Sequence, residues 1–285
     1  MAGRTIQRVL RSAFLWGMLV TGAPLLASAA QAGISLHGGS EESREHLAGL
    51  IASQWGADET RDVDLAITIG TTALAEYCSG NHQSPVLAIY LYESRFEEAK
   101  ADCAQPVAAI FSDAPLLYQV RLARGLFPGS RSAMLTSERA TGEPAPEKTA
   151  DILLPIPEEG VAKGLGRLIA EGQWDVFLLP IDALVFKGSD YRLSLETLFR
   201  HRKPAIVSIN QLLSQGAAAT VYYTSTQLDQ AVVEALDRLI ETGELTGTRP
   251  DSVTVGINKT VMRNLYGRVI PPEVLRALEA EVNGD

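Results

Sequence analysis

The chain has 285 residues, 46% of them hydrophobic and 21% charged, the balance of a folded globular protein and not of a disordered one. A formal charge of −9 excludes a basic nucleic-acid face as the main working surface. Twenty-four glycines without a period and only two cysteines exclude collagen-like and disulfide-scaffold classes.

The first 32 residues read as a cleavable secretory signal. Arg4, Arg8 and Arg11 form a positive start with no acid, residues 13–26 are apolar, and Ala30-Gln31-Ala32 is a small-x-small site before Gly33. Ala27-Ser28-Ala29 offers a second site just upstream. The apolar run is broken by Gly22 and Pro24 and is too short for a membrane anchor. No cysteine stands at the cleavage site, which excludes a lipoprotein. Cleavage removes three arginines and no acid, so the mature 253-residue chain carries −12 instead of −9. The expected location is the periplasm.

A short strand is predicted at 34–39. Residues 64–70 (DLAITIG), 85–91 (PVLAIYL) and 106–112 (PVAAIFS) read as buried strands. Helices at 71–77, 95–103 and 115–127 follow them in turn. Thr71 caps the first, Pro115 takes a first-turn position in the third, and Pro128-Gly129 ends it. Strands at 131–136, 151–156, 175–181, 204–209, 217–223 and 253–257 come next, with helices at 161–171, 193–202 and 227–241. In the last of these Val232, Leu236, Leu239 and Ile240 share one face. Residues 137–149 are polar with Pro and Gly and read as loop. Helices at 261–265 and 272–282 close the chain. Apolar strands alternating with helices of about 9–15 residues specify βαβ units, so the fold class is α/β: two doubly wound parallel-sheet lobes with a hinge and a cleft between them.

In such sheets ligands sit outside the carboxyl ends of the strands. There the sequence places Gly70, Thr71 and Thr72, whose turn into a helix suits an anion. It also places Asp113 and Asp182, one in each half. Each can accept from a ligand amine or hydroxyl, or simply cap the next helix. Asn210, Tyr90, Tyr92, Tyr222 and Tyr223 can stack on a solute or hydrogen-bond it. Catalytic chemistry is not announced: His37, His46, His82 and His201 are scattered, and no zinc spacing, nucleophile elbow or phosphate loop occurs. Glu41-Glu42 and Glu158-Glu159 read as solvated acids. The expectation is a binding protein with no cofactor, no metal, no nucleic-acid partner and no enzymatic activity. Cys78 and Cys103 each end a helix and precede a strand beginning Pro-Val, which predicts a disulfide away from the cleft. A redox pair would want Cys-x-x-Cys, which is absent.

Taken in order, DLAITIGTTAL, PVLAIY, PVAAIFSDAPLLYQVRLARGLFPGSRSAMLTS, the segment DVFLLPIDAL through TVYYTS, and VTVGINKTVMRNLYGRVIPPEVL span residues 64–282. This order resembles the bacterial ABC-transporter substrate-binding proteins of the tryptophan/tyrosine-binding type, a branch of the type I periplasmic binding proteins. The chain departs from that pattern in its short first strand, in the polar loop at 137–149, and in Met262 and Tyr266 of the closing run. The resemblance implies lobes of residues 33–114 plus about 226–258, and 115–225 plus about 259–285. It implies a monomer that holds a small solute, an amino acid or an aromatic acid, between Gly70, Thr71, Thr72, Asp113, Asp182 and Asn210. The solute would pass to an ABC permease. The alternative is a sensing or accessory protein of the same fold that signals to another membrane receptor.

Overall fold

The computed structural model describes residues 33–55, 63–137, 150–182 and 185–284. The expected signal at 1–32 and residues 138–149 of the expected loop lie outside them. Strands β1 (Gly33–Gly38), β2 (Asp64–Ile69), β3 (Val86–Leu91) and β4 (Val107–Phe111) form a parallel sheet in that order. Strands β5 (Ser132–Thr136), β6 (Ile152–Pro155), β7 (Val176–Leu179), β8 (Ala205–Val207), β9 (Ala219–Tyr222) and β10 (Thr254–Ile257) form a second sheet, ordered β10-β9-β8-β7-β5-β6. Its pairings are parallel except β10 with β9.

The helices are α1 (Glu41–Gln54), α2 (Thr71–Ser79), α3 (Glu93–Ala99), α4 (Leu116–Leu126), α5 (Val161–Glu171), α6 (Asp190–Arg200), α7 (Ser225–Thr242), α8 (Lys259–Tyr266) and α9 (Pro272–Asn283). A 3₁₀ helix spans Asn210–Leu213. Among the described residues no helix is long and apolar enough to cross a membrane.

Side chains alternate across a strand, so a strand covered on both faces must be apolar throughout. β7 shows this. Val176 and Leu178 pack into the core that holds Leu122 of α4 and Leu278 of α9, whereas Phe177 and Leu179 face Leu165 of α5 and Leu198 of α6. The first sheet is built alike. Leu65, Ile67, Leu87 and Ile89 join Leu47 of α1 and Val232 of α7, while Ala66, Val86 and Ala88 face Leu74 of α2. The core holding Leu47 and Leu278 is continuous from one sheet to the other.

Three chain segments pass between the sheets: 112–116 from β4 to α4, 223–225 from β9 to α7, and 249–253 from α7 to β10. The expected lobe boundary is corrected at the third. Thr248 still bridges Ile110 in the first sheet, but Pro250 has no N–H to continue a ladder, and β10 pairs with β9 in the second. Residues 254–257 therefore belong to the second lobe, not the first. α7 does cover the first sheet, against α1 and β4. Its start is fixed by a reciprocal cap, Thr224 accepting from Gln227 N at 3.2 Å while the Gln227 side chain accepts from Thr224 N at 2.8 Å.

Two local readings also shift. α1 is present although only Leu47 of it is buried, with Ser40 capping it through Ser43 N at 3.1 Å. α3 starts at Glu93 and ends at Ala99, since residues 100–103 turn off toward β4. Cys78 and Cys103 are joined in a disulfide, at the end of α2 and before β4, remote from the strand carboxyl ends.

Candidate ligand cleft

The carboxyl ends of strands from both sheets border two adjoining cavities that share Ile181. The smaller, about 440 Å³, is lined by Tyr92 after β3, Ser112 after β4, Ser208 and Asn210 after β8, and Tyr222 and Tyr223 at the end of β9. The larger, about 620 Å³, is lined by Glu93, Ser94 and Asp113 of the first lobe and by Ser137, Pro180 and Asp182 from the second. Among the described residues no lysine or arginine lines either one.

Asp113 is 9% exposed, and its Oδ1 accepts from Glu93 N at 3.0 Å. Burial pushes its carboxyl up to about 6, against the opposing pull of that N–H and of Arg249. Arg249 is itself engaged: its Nη2 lies 2.6 Å from Glu93 Oε2, and its guanidinium sits 4.7 Å over the Phe111 ring. Tyr191 of α6 braces the opposite wall. Its hydroxyl accepts from Asp182 N at 3.3 Å and donates to Pro180 O at 3.4 Å. Burial raises the Tyr191 phenol to about 12, outweighing the Asp182 N–H. The turn at Asp182 is closed by Val185 N at 3.0 Å and Phe186 N at 2.8 Å, both donating to its carbonyl.

Of the residues expected from sequence, Asp113 and Asp182 line the larger cavity, and Asn210 and Tyr222 the smaller. Tyr90 lines neither. Its hydroxyl donates to Asp229 of α7 at 3.0 Å. Gly70, Thr71 and Thr72 stand at the carboxyl end of β2 and line neither cavity. Gly70, at φ 88, donates its N–H to Ile89 O at 2.8 Å. Residues 113–115 and 224–227 adjoin crossings. Residues 210–219 do not, because the 3₁₀ helix there packs on β9 and β10 within one sheet.

Sequence reasoning missed Ser208 and Gln119. The Gln119 amide, fully buried on α4, donates to Ser208 Oγ. Their signals were a serine interrupting the apolar run PAIVSI and a glutamine on the buried face of α4. Among the described residues no cluster of His, Cys, Asp and Glu could hold a metal ion.

No protein-family model matches the sequence, and no curated protein does. Solved structures do. A ligand-free, open substrate-binding protein with adhesive properties from Clostridium difficile superposes with a TM-score of 0.60 at 14% identity, over 84% of this chain and 95% of that one. An ABC domain from Streptococcus pneumonia, solved with L-Trp, gives 0.53 at 15% identity over 85% and 97%. A conserved domain protein from Vibrio cholerae gives 0.50 at 16% identity over 81% and 82%. Two parallel-wound sheets, three crossings and cavities at the facing strand ends make this chain a protein of the type I periplasmic-binding-protein fold, the fold of ABC-transporter substrate-binding proteins.

Proposed function

We propose that the protein is a periplasmic receptor that captures a small organic solute between its lobes and delivers it to an ABC permease, binding and not transforming it. The observation that carries this reading is the pair of cavities walled by strand ends of both sheets, with the chain crossing between those sheets three times. A solute touching both walls favours the closed arrangement and so draws a pre-existing open–closed equilibrium toward it. Gln227 links two of the crossings. Besides capping Thr224, its amide donates to Ser252 O at 2.9 Å, and Thr254 Oγ1 donates to it at 3.2 Å. The similarity to substrate-binding proteins, one of them holding L-Trp, supports capture. The arginine-led start with its small-x-small site supports export.

The test is a thermal-shift screen of the exported protein against amino acids, aromatic acids, amines and sugars, followed by small-angle scattering on any hit. A ligand at 100 times its Kd adds about 2.7 kcal/mol, a shift of a few degrees. Stabilisation with a smaller radius of gyration is expected. Stabilisation by no compound would set capture aside in favour of the sensing or accessory role.

A further inference from the structure

We infer that the solute is an organic cation, an amine or guanidine without a compensating carboxylate, seated against Asp113 and Asp182 from the two lobes. This inference rests on the cleft being the capture site and adds the chemical class. Three carboxylates, Glu93, Asp113 and Asp182, line the larger cavity, and among the described residues no cationic side chain does. The Arg249 guanidinium is held by Glu93 and Phe111 and lines a separate cavity at the edge of β4.

Asp113 is nine-tenths buried yet lines the cavity. The N–H of Glu93 makes the only hydrogen bond to its side chain from another residue among the described residues, and no ion pair reaches it there. A buried carboxylate without a cation is costly, and a ligand cation is what would relieve it. Burial raises the Asp113 carboxyl to about 6 in spite of the Glu93 N–H and the Arg249 charge. Across the cleft, Asp182 lines the same cavity as Asp113.

The adjoining cavity suits the rest of such a solute. Tyr92, Tyr222 and Tyr223 offer ring faces, which attract cations and cover apolar stems, and Asn210 offers a neutral amide. Among the described residues a ligand carboxylate finds no cation lining either cavity. The helix start at Gly70-Thr71-Thr72, which would suit an anion, lines neither cavity.

The experiment is titration calorimetry on the exported protein with 1,4-diaminobutane, agmatine and choline on one side, and L-tryptophan, L-tyrosine and 4-hydroxybenzoate on the other. At least one cation is expected to bind, with its affinity reduced about tenfold or more in Asp113→Asn and in Asp182→Asn. Both variants are to be checked by circular-dichroism melting. Should a variant fail to fold, loss of cation affinity in wild-type protein below pH 6 serves in its place. Binding of an amino acid or aromatic acid but of no cation would overturn the inference and leave the capture reading standing. Cation binding indifferent to both substitutions would overturn the seat. Heat from neither group would overturn the inference and leave the capture reading to the wider thermal-shift screen.

Discussion

Tyr90 and Asp229 are joined by a hydrogen bond of 3.0 Å, phenol to Oδ1, and the Oδ2 of the same carboxylate lies 2.8 Å from His46 Nε2. One side chain of α7 thus ties the end of β3 to α1. Tyr90 is held at φ 53 where the register of β3 shifts, a conformation that costs a non-glycine residue about 1–3 kcal/mol. The bond to Asp229 helps hold it there. Burial, then the Asp229 charge, raises its phenol well above the ordinary range, so it stays a donor. Tyr90→Phe is expected to lower unfolding free energy by about 1–2 kcal/mol while leaving the affinity for a cleft ligand unchanged. Urea unfolding and a binding titration check both halves. An unmoved midpoint removes the tie, and a large fall in affinity returns the hydroxyl to the ligand site.

Asp113 gives the stability a defined pH dependence. Its ordinary value of 3.8 holds in the unfolded chain, and about 6 in the folded one. Between those values the folded state keeps a proton that the unfolded state has lost, so stability falls as pH rises from about 4 to about 6. The difference of about two pKa units corresponds to about 3 kcal/mol. Glu93 adds to the rise and Arg249 opposes it, both after burial itself. Asp113→Asn should therefore be more stable than the parent at pH 7, with the gap closing below pH 4. Urea midpoints at pH 3.5, 5 and 7 decide this. A gap that is the same at all three would mean that Asp113 is solvated or paired.

Local pattern reached as far as local forces do. β7 was readable because burial on both faces makes VFLL apolar at every position, and the strand ends marked Asp113 and Asp182. The sheet to which β10 belongs was not readable, since four residues that suit one lobe suit the other, and the choice is a long-range pairing with β9. The direction of the Tyr90 hydroxyl was not readable either, because its acceptor is 139 residues away. α1 carries one buried residue in fourteen, too few for an apolar stripe, so no periodicity marked it.

The Cys78–Cys103 bridge closes a separation of 25 residues, for which chain entropy predicts about 3–4 kcal/mol of stabilisation. It lies among the first-sheet core residues packed by α2 and α3, not at the cleft. A Cys78→Ser/Cys103→Ser double variant should unfold at clearly lower urea, and the reduced parent should match it. Ligand affinity at low temperature should stay unchanged. A drop in affinity with little loss of stability would mean that the bridge positions the cleft.

Gln119 and Ser208 separate a binding role from a folding one. The Gln119 amide nitrogen donates to Ser208 Oγ, so the Ser208 hydroxyl is left to donate elsewhere, and Ser208 lines the smaller cavity. Gln119 Oε1 has no hydrogen-bond partner among the described residues, a fully buried acceptor left unmatched. Such an atom costs about 1–3 kcal/mol, comparable to or larger than the bond its amide makes. Gln119→Met keeps the volume and removes both, so stability should stay within about 1 kcal/mol of the parent or rise. Ser208 would then lose the donor that orients it, and affinity for a ligand accepting from its hydroxyl should fall about two- to tenfold. Paired denaturation and calorimetry on Gln119→Met and Ser208→Ala read the two quantities separately. Equal losses of affinity with intact stability would show that Gln119 acts through Ser208, whereas a large stability loss in Gln119→Met alone would make the pair a structural one.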